Sequence, residues 1–193
     1  MRRLTLILAF GLALGACQTA RYEGDVSSPY YAPPAGTRVI LNREITIPSE
    51  QVSVMLQNGE IVRAGEINTY HPHCKFEVRR RLEVAQAVKP DDFLVTRVER
   101  SLLHSVDAGA VLHARVSVGI GIGIGVGGGV NGDGPSVQTY ATRMNLHSDR
   151  QPDVLRLTCG QWGYPYDGEH VSVNGMRKAL GDVITLKLPV PKG

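Results

Sequence analysis

A membrane-spanning helix is missing from this sequence: the apolar run Leu4 to Leu14 is eleven residues long, whereas a bilayer core needs about twenty. Charge of one sign is missing too. The formal net charge of +3 falls to +1 without Arg2 and Arg3, and no motif that reads DNA or RNA is present, so nucleic acid is excluded as a partner. There is no Gly-x-Ser-x-Gly elbow, no His-Glu-x-x-His pair and no Gly-x-x-x-x-Gly-Lys loop. Asp91 and Asp92 follow Pro90 in what reads as a turn, where carboxylates serve the backbone. The reading is a non-enzyme with no cofactor. A metal site is also not expected: His71 and His73 would share a face of an extended segment, but no third ligand accompanies them, and His104, His113, His147 and His170 are scattered. Cysteine is scarce and odd in number, at three. In an oxidising compartment that leaves one thiol over.

What is present is most informative at the start. Met1-Arg2-Arg3 is a basic n-region, Leu4 to Leu14 an uncharged h-region, and Leu14-Gly15-Ala16-Cys17 follows. This tetrad resembles the lipobox of bacterial lipoproteins. The resemblance implies a signal peptide over residues 1–16, cleavage before Cys17, a thioether lipid on its sulfur and acylation, such as palmitate, of the new terminus. The competing reading is an ordinary signal peptide with Ala13 and Gly15 in the cleavage positions and Cys17 a free thiol. Gln18 stands where lipoproteins retained at the inner membrane commonly carry Asp, which points to the periplasmic face of an outer membrane. A lipidated Cys17 also leaves an even pair, Cys74 and Cys159, expected as a disulfide. Both fall at inward positions of alternating strands.

Residues 17–36 read as a lipidated N-terminus and flexible tether, with three prolines and little apolar periodicity. Residues 37–193 read as one β-rich periplasmic domain. Arg38 to Leu41, Glu44 to Ile47 and Gln51 to Gln57 are β-rich, and Asn58-Gly59 marks a type I′ hairpin turn into Glu60 to Val62. Alternation places Cys74, Phe76 and Val78 inward on one strand and Leu155, Leu157 and Cys159 inward on another. Phe93 to Val98 and Val111 to Val126 continue the strands, and Ile184 to Leu188 closes the chain. One helix is expected over Val173 to Leu180, N-capped by Ser172 and ended by Gly181. The fold class is mostly β (α+β): an antiparallel sheet or sandwich with a long Gly-rich hairpin and one short C-terminal helix.

The Gly-rich segment alternates strictly. Val116 to Val126 carries β-branched residues at even positions, while Gly119, Gly121, Gly123, Gly125 and Gly127 leave the other face bare. Gly128 to Pro135 reads as a turn and Ser136 to Leu146 as the returning strand. Three uses compete: a structural ribbon, a self-association edge, and one hairpin of an oligomeric membrane barrel. Gly123, Gly125 and Gly128 fit a GxGxxG spacing, but with no helix able to follow, this is not a dinucleotide site.

Gln161 to Tyr166 gathers Trp162, Tyr164 and Tyr166, an aromatic, proline-stiffened loop that either packs over the sheet or recognises a glycan or peptide. The cluster Arg79-Arg80-Arg81 reads as a solvated strand end or a contact for anionic lipid or glycan. Gln57-Asn58-Gly59, Tyr70 to Glu77, Leu157 to Gly160 and Ala179 to Gly181 occur in an order that resembles uncharacterised proteobacterial envelope lipoproteins. That resemblance implies an address and brings no activity. The expectation is an outer-membrane lipoprotein with a non-enzymatic structural, assembly or interaction role. Its partners are the membrane through its lipid, and an envelope protein or a second copy. The alternative is an oligomeric lipoprotein that inserts the Gly-rich hairpin as a pore strand.

Overall fold

The computed structural model describes residues 24–105 and 137–190. Ten antiparallel strands, one α-helix and a 3-10 turn (Ala64–Glu66) are present among them. They are β1 (Arg38–Leu41), β2 (Ile45–Ile47), β3 (Ser53–Gln57), β4 (Glu60–Val62), β5 (His73–Val78), β6 (Gln86–Val88), β7 (Asp91–Ser105), β8 (Val137–His147), β9 (Val154–Gly163), α1 (Val173–Leu180) and β10 (Ile184–Lys187). Eight strands form one curled sheet in the order β10-β1-β7-β8-β9-β5-β3-β4, and β2 pairs with β6 in a small ribbon. The mostly β expectation therefore holds, as a single large sheet plus a ribbon.

The alternation read along the strands generates the core. Val39, Leu41, Val54, Leu56, Phe76, Phe93, Val95, Met144, Leu146 and Leu157 point from the sheet into one cluster. Ile45, Ile47 and Val88 cover it from the ribbon, and Met176, Ala179 and Leu180 from α1. Phe76 and Phe93 meet edge to face at 6.2 Å in its centre.

Local chemistry sets the turns and ends. Asn58 and Gly59 have φ of 54° and 83°, the left-handed pair that a two-residue hairpin between β3 and β4 needs. The Ser172 hydroxyl accepts from the Gly175 N–H at 3.1 Å and caps α1, while Gly181 ends it with φ 57°. Gly59 N–H then donates to Ala179 O at 3.0 Å, so the hairpin turn satisfies a carbonyl at the helix end.

Three expectations need correction. β8 is the returning strand, but its neighbours are β7 along one edge (Ser105↔Val137 to Leu94↔His147) and β9 along the other. Along its described length both edges of β8 are taken by these two strands. Val116 to Val126, with Gly119, Gly121, Gly123, Gly125 and Gly127, lie outside the described residues. Leu155 is not on the inward face: the pairing steps from Glu77↔Arg156 to Val78↔Val154, so Leu155 is the extra residue of a bulge and Val154 takes the core position. Finally, residues 24–36 do not hang free as a tether. They form a strap against the domain, with Ser28 and Pro33 buried.

Candidate functional site

The strap is held from two elements, β7 and the head of α1. A bulge at Thr96 shifts the phase of β7, so that Val98 packs on the core and Arg100 follows on the same face, beyond the apolar cluster. Arg100 donates from its two terminal nitrogens to Tyr30 O (3.2 Å) and Tyr31 O (2.7 Å). Burial pulls its pKa below the ordinary arginine value, and its buried Nε has no hydrogen-bond partner. At the head of α1, Asn174 N–H donates to Val26 O (3.0 Å) and its amide to Ser27 Oγ (2.8 Å).

Beside Arg100 stands Tyr140, inward on β8. Its ring lies against Gly163 and Gly168, where a Cβ on Gly168 would stand 2.0 Å from Cε2, so no larger residue fits there. The Tyr140 hydroxyl donates to Tyr164 O at 3.2 Å, and the His170 ring meets its face edge-on at 5.7 Å. Burial, and then the Arg100 charge, push the His170 pKa below 6.5; its Nδ1 is buried without a partner. Tyr30, Arg100, Leu102, Tyr140, Gly168 and His170 line a cleft of about 220 Å³, and a neighbouring cleft of about 160 Å³ runs from Ser27 to Gly175. Arg100 and His170, each with a buried nitrogen that lacks a hydrogen-bond partner, thus share the lining of the larger cleft with Glu169 and the apolar Leu102.

The cysteine expectation is met inside the sheet. Cys74 and Cys159 face each other across β5 and β9 as direct partners, fully buried and joined in a disulfide with Cα atoms 4.0 Å apart. Cys17 lies outside the described residues. His73 Nδ1 contacts His71 O at 3.0 Å, and burial lowers the His73 pKa. Among the described residues no cluster of three His, Cys, Asp or Glu is arranged to hold a metal. Arg80 pairs with Asp153, Arg81 with Glu50, and Arg79 Nε donates to Pro152 O at 3.2 Å, so all three consecutive arginines tie the strand end down. Asp91 serves structure as well, accepting from Ser148 Oγ (2.6 Å), Gln151 and Arg150. On the outer face, Glu77 accepts from Arg156 (2.6 Å) and Lys75 (3.0 Å), although it is only 5% exposed.

These placements give the domain two unlike ends. At the Asp91 end lie the ion pairs of Arg80, Arg81 and Arg150. At the other end, where β7 finishes and β8 begins, lie Tyr30, Tyr31, Tyr70, Tyr140, Tyr164 and Tyr166 with the single tryptophan. Trp162 is half-buried, its ring edge-on to Tyr70 at 5.7 Å and its backbone N–H donating to Thr69 O at 2.7 Å. Tyr164 and Tyr166 stand exposed on the loop beyond it, so the aromatic loop divides between packing and display. Arg100, Tyr140, His170 and the strap escaped sequence reading, because the bulge at Thr96 hides the phase that turns Arg100 inward. No protein-family model, curated protein sequence or solved structure matches this chain.

Proposed function

We propose that this chain is an outer-membrane-anchored lipoprotein, facing the periplasm, with a non-enzymatic structural, assembly or interaction role in the cell envelope. One observation supports it above the rest: Cys74 and Cys159 are consumed by their own disulfide. Cys17 is then the one cysteine left, at the position where the sequence resembles a lipobox. A domain stapled through a buried cross-strand bridge suits an oxidising compartment, where a spare thiol next to a signal sequence is best explained by modification. Among the described residues no helix is long and apolar enough to cross a membrane, so the reading relies on lipid for attachment.

The test is expression in a Gram-negative host with labelled palmitate. The wild-type protein is expected to take up label and remain in the outer-membrane fraction, whereas Cys17→Ser loses both. Unlabelled wild-type protein released by osmotic shock would overturn the reading. The alternative is an oligomeric lipoprotein that inserts the Gly-rich hairpin as a pore strand. Dye-loaded vesicles separate the two: the anchored protein is expected to leave them sealed.

A further inference from the structure

We infer that the aromatic end of the domain is a lipid-seating surface, lying on the headgroup region of the bilayer to which Cys17 is joined; the inference rests on the lipoprotein reading above. Tyr166 is 97% exposed, Tyr30 77%, Leu102 52%, Tyr70 50% and Tyr164 41%; they flank the end where β7 finishes and β8 begins, Tyr70 beside Trp162 on the outer face and Tyr30 with Leu102 beside Tyr140 on the inner one. Tyrosine and tryptophan pair an apolar ring with a polar tip and therefore favour the boundary between acyl chains and water. Exposed aromatic side chains gathered at one end, rather than scattered singly, mark a contact surface.

Chain geometry selects a bilayer as the occupant. Gly24 lies seven residues beyond Cys17, a reach of at most about 25 Å whatever path those residues take. From there the strap is pinned at the head of α1, by Asn174 at Val26 and Ser27, before Arg100, midway along β7, holds Tyr30 and Tyr31. β8, with 11 residues, is about 36 Å long, so the ion-paired end stands a full strand length farther from any anchor. A lipid on Cys17 thus holds the tyrosines, and not the charges, against the membrane. The acidic groups at this end, Asp167 and Glu169, favour a zwitterionic surface over an anionic one.

Trp162 is the only tryptophan, so its fluorescence reports this surface without labelling. The full lipidated protein is reconstituted in phosphatidylcholine vesicles with and without bromine on the acyl chains, a quencher that acts near contact. Flotation with the vesicles together with about a two-fold loss of Trp162 emission on bromination is the expected result for a ring at the interface. Tyr30→Ser combined with Tyr166→Ser removes only exposed side chains; it is expected to keep flotation and melting temperature while restoring most of the emission. Flotation with unquenched Trp162, or quenching undiminished in the double variant, would overturn the inference and leave the anchor standing. Failure of the wild-type protein to float would overturn the lipoprotein reading instead. An emission shift that depends on protein concentration in detergent, without vesicles, would assign the surface to a second copy and overturn lipid seating.

Discussion

Glu77 shows how much one side chain on the outer face can carry. Burial raises its pKa, but hydrogen bonds from Arg156 and Lys75 outweigh that and bring it below 4.5. A carboxyl depressed in the folded state adds stability above the unfolded value, and that stability is lost as pH falls through the folded value. Glu77→Gln is therefore expected to cost about 2–3 kcal/mol at neutral pH in urea titrations and to flatten the acid limb below pH ~4.5. His170 acts in a higher window. Its folded pKa is depressed by burial and by Arg100, so an unfolded chain takes up the proton first and stability falls as pH drops below 6.5. His170→Gln should remove that part of the pH dependence, read as melting temperature between pH 7 and 5. The Cys74–Cys159 bridge closes a separation of 85 residues, and replacing both cysteines by alanine is expected to cost up to about 4–5 kcal/mol in the chain-entropy account, read from urea midpoints. The bridge was legible because strand alternation put both sulfurs inward. Glu77 was not, since its partners come from two strands whose register the sequence does not state.

At the scale of elements, α1 and the β3–β4 hairpin were readable from short-range chemistry: Asn58-Gly59 demands a primed turn, Ser172 caps and Gly181 stops. Their mutual packing was not. A Cβ on Gly181 would lie 2.4 Å from Gly59 Cα, at a backbone φ of 57° that already disfavours any other residue. Gly181→Ala should therefore destabilise by more than about 2 kcal/mol in thermal unfolding, with the left-handed backbone contributing about 1 of these. Ser172→Ala is expected to cost about 1 kcal/mol, the usual loss of an N-cap hydrogen bond. The bulges at Thr96 and Leu155 were illegible because one inserted residue reverses every later side chain, while the alternating pattern around it still looks regular.

For the whole molecule, the closed bookkeeping of strand edges has a direct consequence. Among the described residues, β7 and β9 fill both sides of β8 and the core cluster draws on every large-sheet strand but β4. Replacing residues 119–134 by a short Gly/Ser linker is expected to leave melting temperature and the Cys74–Cys159 bridge unchanged, checked by calorimetry and non-reducing peptide mapping. Loss of soluble protein would mean that the Gly-rich segment belongs to the core. The strap belongs to the same scale: composition alone marks residues 24–36 as unable to bury much surface, yet they dock because Arg100 and Asn174 offer donors to their backbone carbonyls.

The order of residues by itself determined what depends on near neighbours: strands from alternation, the hairpin turn, the helix and its caps, and two cysteines facing a common interior. Only the tertiary structure decided which strands adjoin, where a bulge changes the phase, how the strap lies and which end collects the aromatic rings. These depend on pairing between residues far apart in the chain, and such pairing is settled by the burial and hydrogen bonding of the whole domain at once.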